Sequence, residues 1–211
     1  MTEQPEPLTF TDHLRRIFRT VLEGIASFLN HLGIRPNIIT IAGFFGNLAA
    51  GIIIGSGYLF WGGLMALIVG PFDALDGVMA RLRNESGKYG AFIDSVTDRF
   101  SEIALYCGLF VFLIRTGTWQ DALLVFFATV GSIMVSYIRA KAEALGFSAK
   151  IGLLTRAERY IVLIPGILLG YPRISLWILA ILTNFTAIQR FLYVRKQARR
   201  TMIYSLDNKE D

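Results

Sequence analysis

Four aspartates, Asp73, Asp76, Asp94 and Asp98, fall within the stretch FDALDGVMARLRNESGKYGAFIDSVTDRF, from Phe72 to Phe100. The stretch joins two long apolar runs, a setting in which a bare carboxylate is costly to keep. Read as helices, its two ends give two polar stripes, because residues three and four apart share a face. Asp73, Asp76, Gly77, Ala80 and Arg81 form one stripe; Gly90, Asp94 and Asp98, at steps of four, form the other. Two helices facing along these stripes gather four carboxylates into a pocket, and Gly77, Ala80 and Gly90 leave room in it. Four neighbouring carboxylates repel one another and do not all stay ionised without a counter-charge. Two divalent cations supply that charge: hard ions such as Mg²⁺ take oxygen ligands, commonly one or two carboxylates together with substrate phosphates. Paired metals clamp the attacking and leaving oxygens of phosphoryl chemistry. Residue type and spacing therefore point to a dinuclear, phosphate-handling site at a membrane boundary. The plainer alternative, helix-end aspartates paired with Arg81, Arg83 and Arg99, explains one such residue better than four on two matched stripes.

The same residues resemble a known family. Asp73, Asp76, Gly77, Ala80, Arg81, Gly90, Asp94 and Asp98 follow the pattern Asp-x2-Asp-Gly-x2-Ala-Arg-x8-Gly-x3-Asp-x3-Asp, the signature of the CDP-alcohol phosphatidyltransferases, with no departure at a fixed position. The resemblance implies an all-α integral membrane enzyme with a six-helix core, working as a homodimer. Such an enzyme moves a phosphatidyl group from a CDP-linked lipid to an alcohol and releases CMP. It implies two Mg²⁺ ions, or Mn²⁺ in their place, on Asp73, Asp76, Asp94 and Asp98, with Asp98 also the general base on the acceptor hydroxyl. The segment Pro36-Asn37-Ile38-Ile39-Thr40 looks like the family's entry to its first spanning helix, so Asn37 and Thr40 are expected beside the cytidine diphosphate. Asn37 equally fits a helix cap. Gly77 permits close approach, and Arg81 can hold a phosphate oxygen bidentately. Gly87 stands where the family often has Ser or Thr, with Ser86 one residue earlier, and both join the expected CDP-lipid contacts.

For the acceptor, the stretch SYIRAKAEALGFSAKIGLLTRAERY looks like the corresponding part of bacterial phosphatidylinositol phosphate synthases and archaeal archaetidylinositol phosphate synthases. That implies inositol 1-phosphate, a soluble dianion, as acceptor and CDP-diacylglycerol as donor. Arg139, Lys141, Arg156, Arg159 and Arg190 are the right residue types for a phosphate clamp, and are equally ordinary as basic residues flanking membrane spans. Glycerol 3-phosphate, or an archaeal ether lipid as donor, is the alternative within the same chemistry.

The elements that must hold these residues are apolar. The chain has 211 residues, 54% of them hydrophobic, with a mean hydropathy of +0.51, which places a membrane protein ahead of a soluble domain. A single cysteine, Cys107, excludes an internal disulfide. The net charge of +5 is assigned to cytoplasmic loops and anionic lipid headgroups, not to nucleic acid. Apolar residues from Phe10 to Leu32 recur with helical spacing, opposite Arg15, Arg16, Arg19 and Glu23, which predicts an amphipathic helix in the membrane interface and no cleavable signal peptide. Six spans follow: 38–57, 60–80 with Pro71 near its end, 91–114, 121–144, a shorter one at 160–171, and 174–194. The expected organisation is an interfacial helix over 1–35, a six-helix membrane domain over 36–196 and a polar tail over 197–211.

Lysine and arginine fix the orientation. Arg15, Arg16, Arg19 and Arg35 precede the first span; Arg81, Arg83 and Lys88 follow the second; Arg139, Lys141, Lys150, Arg156 and Arg159 follow the fourth; Arg190, Arg195, Lys196, Arg199 and Arg200 close the sixth. The opposite loops hold Arg115 and Arg173. Both termini and the aspartates are thus expected on the cytoplasmic face of the cell membrane, where a soluble acceptor reaches them while a lipid enters from the bilayer. Two other classes fit parts of the pattern. An intramembrane prenyltransferase uses two separated aspartate motifs on a longer chain, and a divalent-cation carrier places carboxylates within spans.

Overall fold

The computed structural model describes residues 10–85 and 87–207, and every regular element among them is an α-helix. Helix α1 (Phe10–His31) ends at Gly33, whose φ of +78° suits glycine and turns the chain toward the next helix. Pro36 then opens α2 (Pro36–Gly55) at its first position, where the missing N–H is no loss. The N-cap is Arg35, so Asn37 lies inside the first turn and does not cap it.

The expected second span is two helices, α3 (Leu59–Val69) and α4 (Phe72–Leu82), broken at Gly70–Pro71. Proline has no N–H and its ring crowds the preceding turn, so the helix restarts after it, and Asp73 falls in the new first turn. Helices α5 (Lys88–Thr116), α6 (Trp119–Ala144), α7 (Arg156–Leu168) and α8 (Pro172–Asp207) complete the chain. Capping boxes start α6, through Thr118 and Asp121, and α7, through Thr155 and Glu158. The tail expected from 197 continues α8 as helix to Asp207, because no glycine or proline interrupts 173–207 and polarity alone does not end a helix.

Among the described residues, four segments are long and apolar enough to cross a bilayer: Pro36–Gly55, Leu59–Leu82, Trp119–Ala144 and Pro172–Arg200. Helix α5 has the length but carries Asp94, Asp98, Arg99 and Glu102, and α7 has only 13 residues, about 20 Å at 1.5 Å per residue. Large apolar residues crowd the outer surface as well as the core. Phe45, Ile52, Trp61, Ile68, Phe126, Trp177, Ile181 and Ile188 are exposed by half or more. Such a belt suits lipid and not water, so the chain is an integral membrane protein.

Inside, Ile54, Leu105, Tyr106, Leu109, Leu163, Ile167 and Leu179 form one buried cluster. A second, of Ala26, Ile39, Leu75, Val78 and Met79, seats α1 on α2 and α4. Arg83 locks that seat, donating from Nε to Asn30 Oδ1 (2.8 Å) and from Nη2 to the Asn30 carbonyl (3.1 Å). Helices α2 and α5 meet backbone to backbone. A Cβ on Gly51 would collide with the Ala104 carbonyl, and one on Gly108 with the backbone of Gly51. Small residues on both partners permit this approach, a common device between helices in lipid.

Candidate active site

The site lies where α4, α5 and the first turn of α7 converge, with α2 packed beside α4 and α5. The proline break puts Asp73 in the first turn of α4 and Asp76 a turn further on. Steps of four along α5 put Asp94 and Asp98 on one face. Carboxylate oxygens of Asp73, Asp94 and Asp98 all lie within 4.8 Å of one another. The structure therefore brings three of the four aspartates into one cluster. Asp76, 5% exposed, turns toward α2, and its Oδ2 accepts a 2.5 Å hydrogen bond from Thr40 Oγ1.

One arginine enters this cluster. Arg156, the first residue of α7, places Nη1 2.6 Å from Asp73 Oδ1 and 2.5 Å from Asp98 Oδ1. Its guanidinium also lies over the Tyr160 ring, 5.6 Å from the centroid. The Tyr160 hydroxyl donates to Asn47 Oδ1 (2.7 Å), and Asn47 Nδ2 donates to the Gly43 carbonyl, which ties α7 to α2. Arg99 gives Asp98 a longer contact, 3.5 Å. Two buried polar atoms have no partner among the described residues: Asp94 Oδ1 and Arg156 Nε. A buried carboxylate oxygen without a donor, inside a cluster of hard oxygen ligands, fits a divalent cation.

Of the expected nucleotide contacts, Thr40 reaches the aspartates directly, through Asp76. Asn37 Oδ1 would lie 3.8 Å from a Cβ on Gly90, so the starts of α2 and α5 adjoin. The Arg81 guanidinium folds beside Gly77, 3.6 Å from where a Cβ would be. Gly87 is the N-cap of α5 in extended backbone, and Ser86 lies outside the described residues.

The five basic residues expected to clamp an acceptor phosphate are held in different ways. Arg139 and Lys141 are exposed, and Arg139 Nε pairs with Glu143 one turn on, at 2.9 Å. Arg190, 3% exposed, donates to the carbonyls of Ile151 and Val135, both at 2.8 Å, and so fastens α8 to α6 and the loop before α7. Arg156 sits among the carboxylates. Arg159 is committed elsewhere, forked onto Glu102 at 2.6 and 2.8 Å. A guanidinium held by a carboxylate keeps few N–H groups over for a soluble anion. Sequence reasoning misses Glu102 and Tyr160. Glu102 continues the four-step series Gly90, Asp94, Asp98, which is the available signal for it.

An apolar cavity of about 880 Å³ adjoins the cluster between α1, α3, α4 and α7. Asp73 and Arg156 lie at its polar end, and Ala66, Ile164 and Leu168 line its interior. Ile25, Leu67, Ile161 and Leu169 also line it and are exposed on the apolar outer surface, so the cavity opens sideways. A charged end and an apolar flank suit a molecule that is itself half phosphate and half hydrocarbon.

A family model described as CDP-alcohol phosphatidyltransferase matches residues 33–188. An archaetidylinositol phosphate synthase of Methanothermobacter thermautotrophicus is 35% identical, over 87% of this chain and 93% of its own. A phosphatidylinositol phosphate synthase of Mycobacteroides abscessus is 33% identical, over 86% of each chain. The solved phosphatidylinositol phosphate synthase of Mycobacterium tuberculosis, at 30% identity, superposes with a TM-score of 0.77 in its complex with manganese and citrate, covering 82% of this chain and 88% of that one. With CDP-DAG bound the score is 0.75, covering 83% and 94%.

Proposed function

The chain belongs to the CDP-alcohol phosphatidyltransferase family, and from that premise we propose that it transfers the phosphatidyl group of CDP-diacylglycerol to inositol 1-phosphate, giving phosphatidylinositol phosphate and CMP. The observation that carries this reading is the carboxylate cluster of Asp73, Asp94 and Asp98 at the polar end of a sideways-opening apolar cavity. One end can take the charged diphosphate while the other keeps the acyl chains out of water.

Divalent cations, Mg²⁺ or Mn²⁺, would be held by Asp73, Asp94 and Asp98, with Asp76 completing the set. When bound they supply positive charge to the phosphate oxygens and the departing CMP. The chain's own groups do the rest. Asn37, Thr40, Gly77, Arg81, Ser86 and Gly87 surround the cytidine diphosphate, and Thr40 also orients Asp76. Asp98 takes the proton of the acceptor hydroxyl as that oxygen bonds to the lipid-bearing phosphorus and the bond to CMP breaks. A carboxylate is a weak base, so its gain comes from position. Arg156 is the acceptor-phosphate contact nearest the reacting groups, with Arg139, Lys141 and Arg190 flanking the approach.

The orientation follows the basic residues: α5 and α7 join the four apolar spans to make six, both ends and the carboxylates face the cytoplasm, and α1 lies in the interface as an amphipathic lead-in. Residues 36–196 form the membrane domain. Two copies of the chain pair as a homodimer.

The test is CMP release by protein purified in detergent, given CDP-diacylglycerol, Mg²⁺ and one acceptor at a time. Release with inositol 1-phosphate and not with glycerol 3-phosphate is the expected result. The reverse overturns the acceptor and keeps the chemistry. The 35% identity to the archaetidylinositol phosphate synthase favours a second donor, the ether-linked CDP-lipid, as a further arm. Cation movement across vesicles without CMP release under any arm would favour a carrier instead.

A further inference from the structure

One turn from the carboxylate cluster, α5 and α7 are joined by a second ion pair. Glu102 and Arg159 are 4% and 2% exposed. Arg159 Nε donates to Glu102 Oε1 (2.6 Å) and Nη2 to Oε2 (2.8 Å), a fork-to-fork geometry between residues 57 apart in sequence. Its third arm, Nη1, donates to the Leu154 carbonyl at 3.1 Å. Leu154 is a buried leucine at φ +65°, a left-handed conformation that a β-carbon resists and that surrounding structure must hold.

The registers match. Glu102 follows Asp98 by one turn on α5, and Arg159 follows Arg156 by one turn on α7. Asp98–Arg156 and Glu102–Arg159 are therefore successive rungs between the same two helices. Elsewhere α5 packs on α2 and α6, while α7 packs on α3 and α8. At this end, polar side chains link the two helices. Arg159 also holds the backbone two residues before Arg156, just ahead of the Thr155 cap.

We propose that the Glu102–Arg159 pair is a positioning strut: through the Leu154 carbonyl and the start of α7 it fixes where Arg156 stands relative to Asp73 and Asp98. This rests on the phosphatidyl-transfer reading above. Its two members do not touch substrate, and their effect on turnover passes through Arg156. Burial excludes water from the pair, so removing one partner leaves the other charge uncompensated, while the lower-strain replacements Arg159→Lys and Glu102→Gln keep one hydrogen bond each.

The experiment is a double-mutant cycle with Glu102→Gln, Arg159→Lys and both together, reading turnover and the acceptor KM separately, with the wild type as control for the reaction itself. Turnover in each single variant should fall by about tenfold or more, the loss that goes with a mispositioned reacting group. The acceptor KM should rise to a similar extent in both single variants, because Arg156 contacts the acceptor phosphate, and the double variant should be no worse than the poorer single one. A KM increase confined to Arg159→Lys, with turnover kept, makes Arg159 an acceptor ligand and overturns the strut. Wild-type turnover in both single variants, or losses that multiply in the double, also overturns it. Should Arg159→Lys fail to elute as a folded species, Glu102→Gln decides alone: a turnover loss of about tenfold or more supports the strut and wild-type turnover overturns it. Absence of turnover in the wild type with any acceptor is a failure of the reaction assignment, visible before any variant is compared.

Discussion

Asp98 is the residue on which most of the chemistry turns, and its surroundings say why a small change there should be read in rate. It is mostly enclosed, 13% exposed at the side chain, and it meets Arg156 at 2.5 Å. Asp98→Asn keeps the shape and removes both the charge and the basic oxygen. Turnover should fall by the roughly 10²–10⁴-fold that general-base groups typically contribute, with thermal unfolding in detergent little changed; wild-type CMP release from this variant would remove Asp98 from that role. Asp94 presents the buried oxygen without a partner. Mn²⁺ binding followed by electron paramagnetic resonance should therefore weaken by about tenfold or more in Asp94→Asn, as losses of even outer-shell partners do; unchanged binding would place the cation elsewhere. A chelator should stop CMP release and Mn²⁺ restore it. The carboxylates are legible because helical spacing shows in sequence. Arg156 among them, and Arg159 on Glu102, are not legible: both contacts join residues far apart in the chain, and an arginine's neighbours are not encoded by its own spacing.

Among the elements, the crossing of α2 and α5 seats the helix that carries Asp94 and Asp98, and the break between α3 and α4 precedes the turn that carries Asp73. Gly108→Leu forces a side chain into the backbone of Gly51 and should cost at least the roughly 1–3 kcal/mol usual for overpacking. It should be read as a lowered unfolding temperature, and an unchanged one would mean that the helices part without penalty. Pro71→Ala restores an N–H and relieves a helix breaker. The variant should be as stable as the wild type or more so, yet slower, since a continuous helix rotates Asp73 away from its place in a new first turn; full activity would show that the break is incidental. Helix existence is readable almost throughout from hydropathy and caps. Pro71 is visible too, but the apolar run on which it falls is long enough to read as one span, and the break is hidden inside it. The end of α8 escapes a sequence reading because a change from apolar to basic residues marks the edge of a bilayer and not the end of a helix.

For the molecule as a whole, the apolar outer belt and the cavity suit a lipid that arrives through the bilayer. Ala74, beside Asp73 on the cavity wall, tests this directly. Ala74→Trp should raise the donor KM about tenfold, the equivalent of excluding roughly two methylene groups at about 0.8 kcal/mol each, with acceptor KM unchanged; a selective effect on the acceptor would assign the cavity to the wrong substrate. Membrane residence can be read from composition and the helices from their apolar runs, whereas the cavity cannot, because it is a gap among α1, α3, α4 and α7 and no residue pattern announces a gap. Its sideways mouth at Ile25, Leu67, Ile161 and Leu169 has a kinetic consequence. A substrate that arrives through such a mouth is counted per unit of membrane area and not per litre. Rates measured in micelles should then follow the donor's mole fraction in the detergent, and diluting those micelles with empty ones should slow the enzyme even though the bulk concentration of donor has not changed.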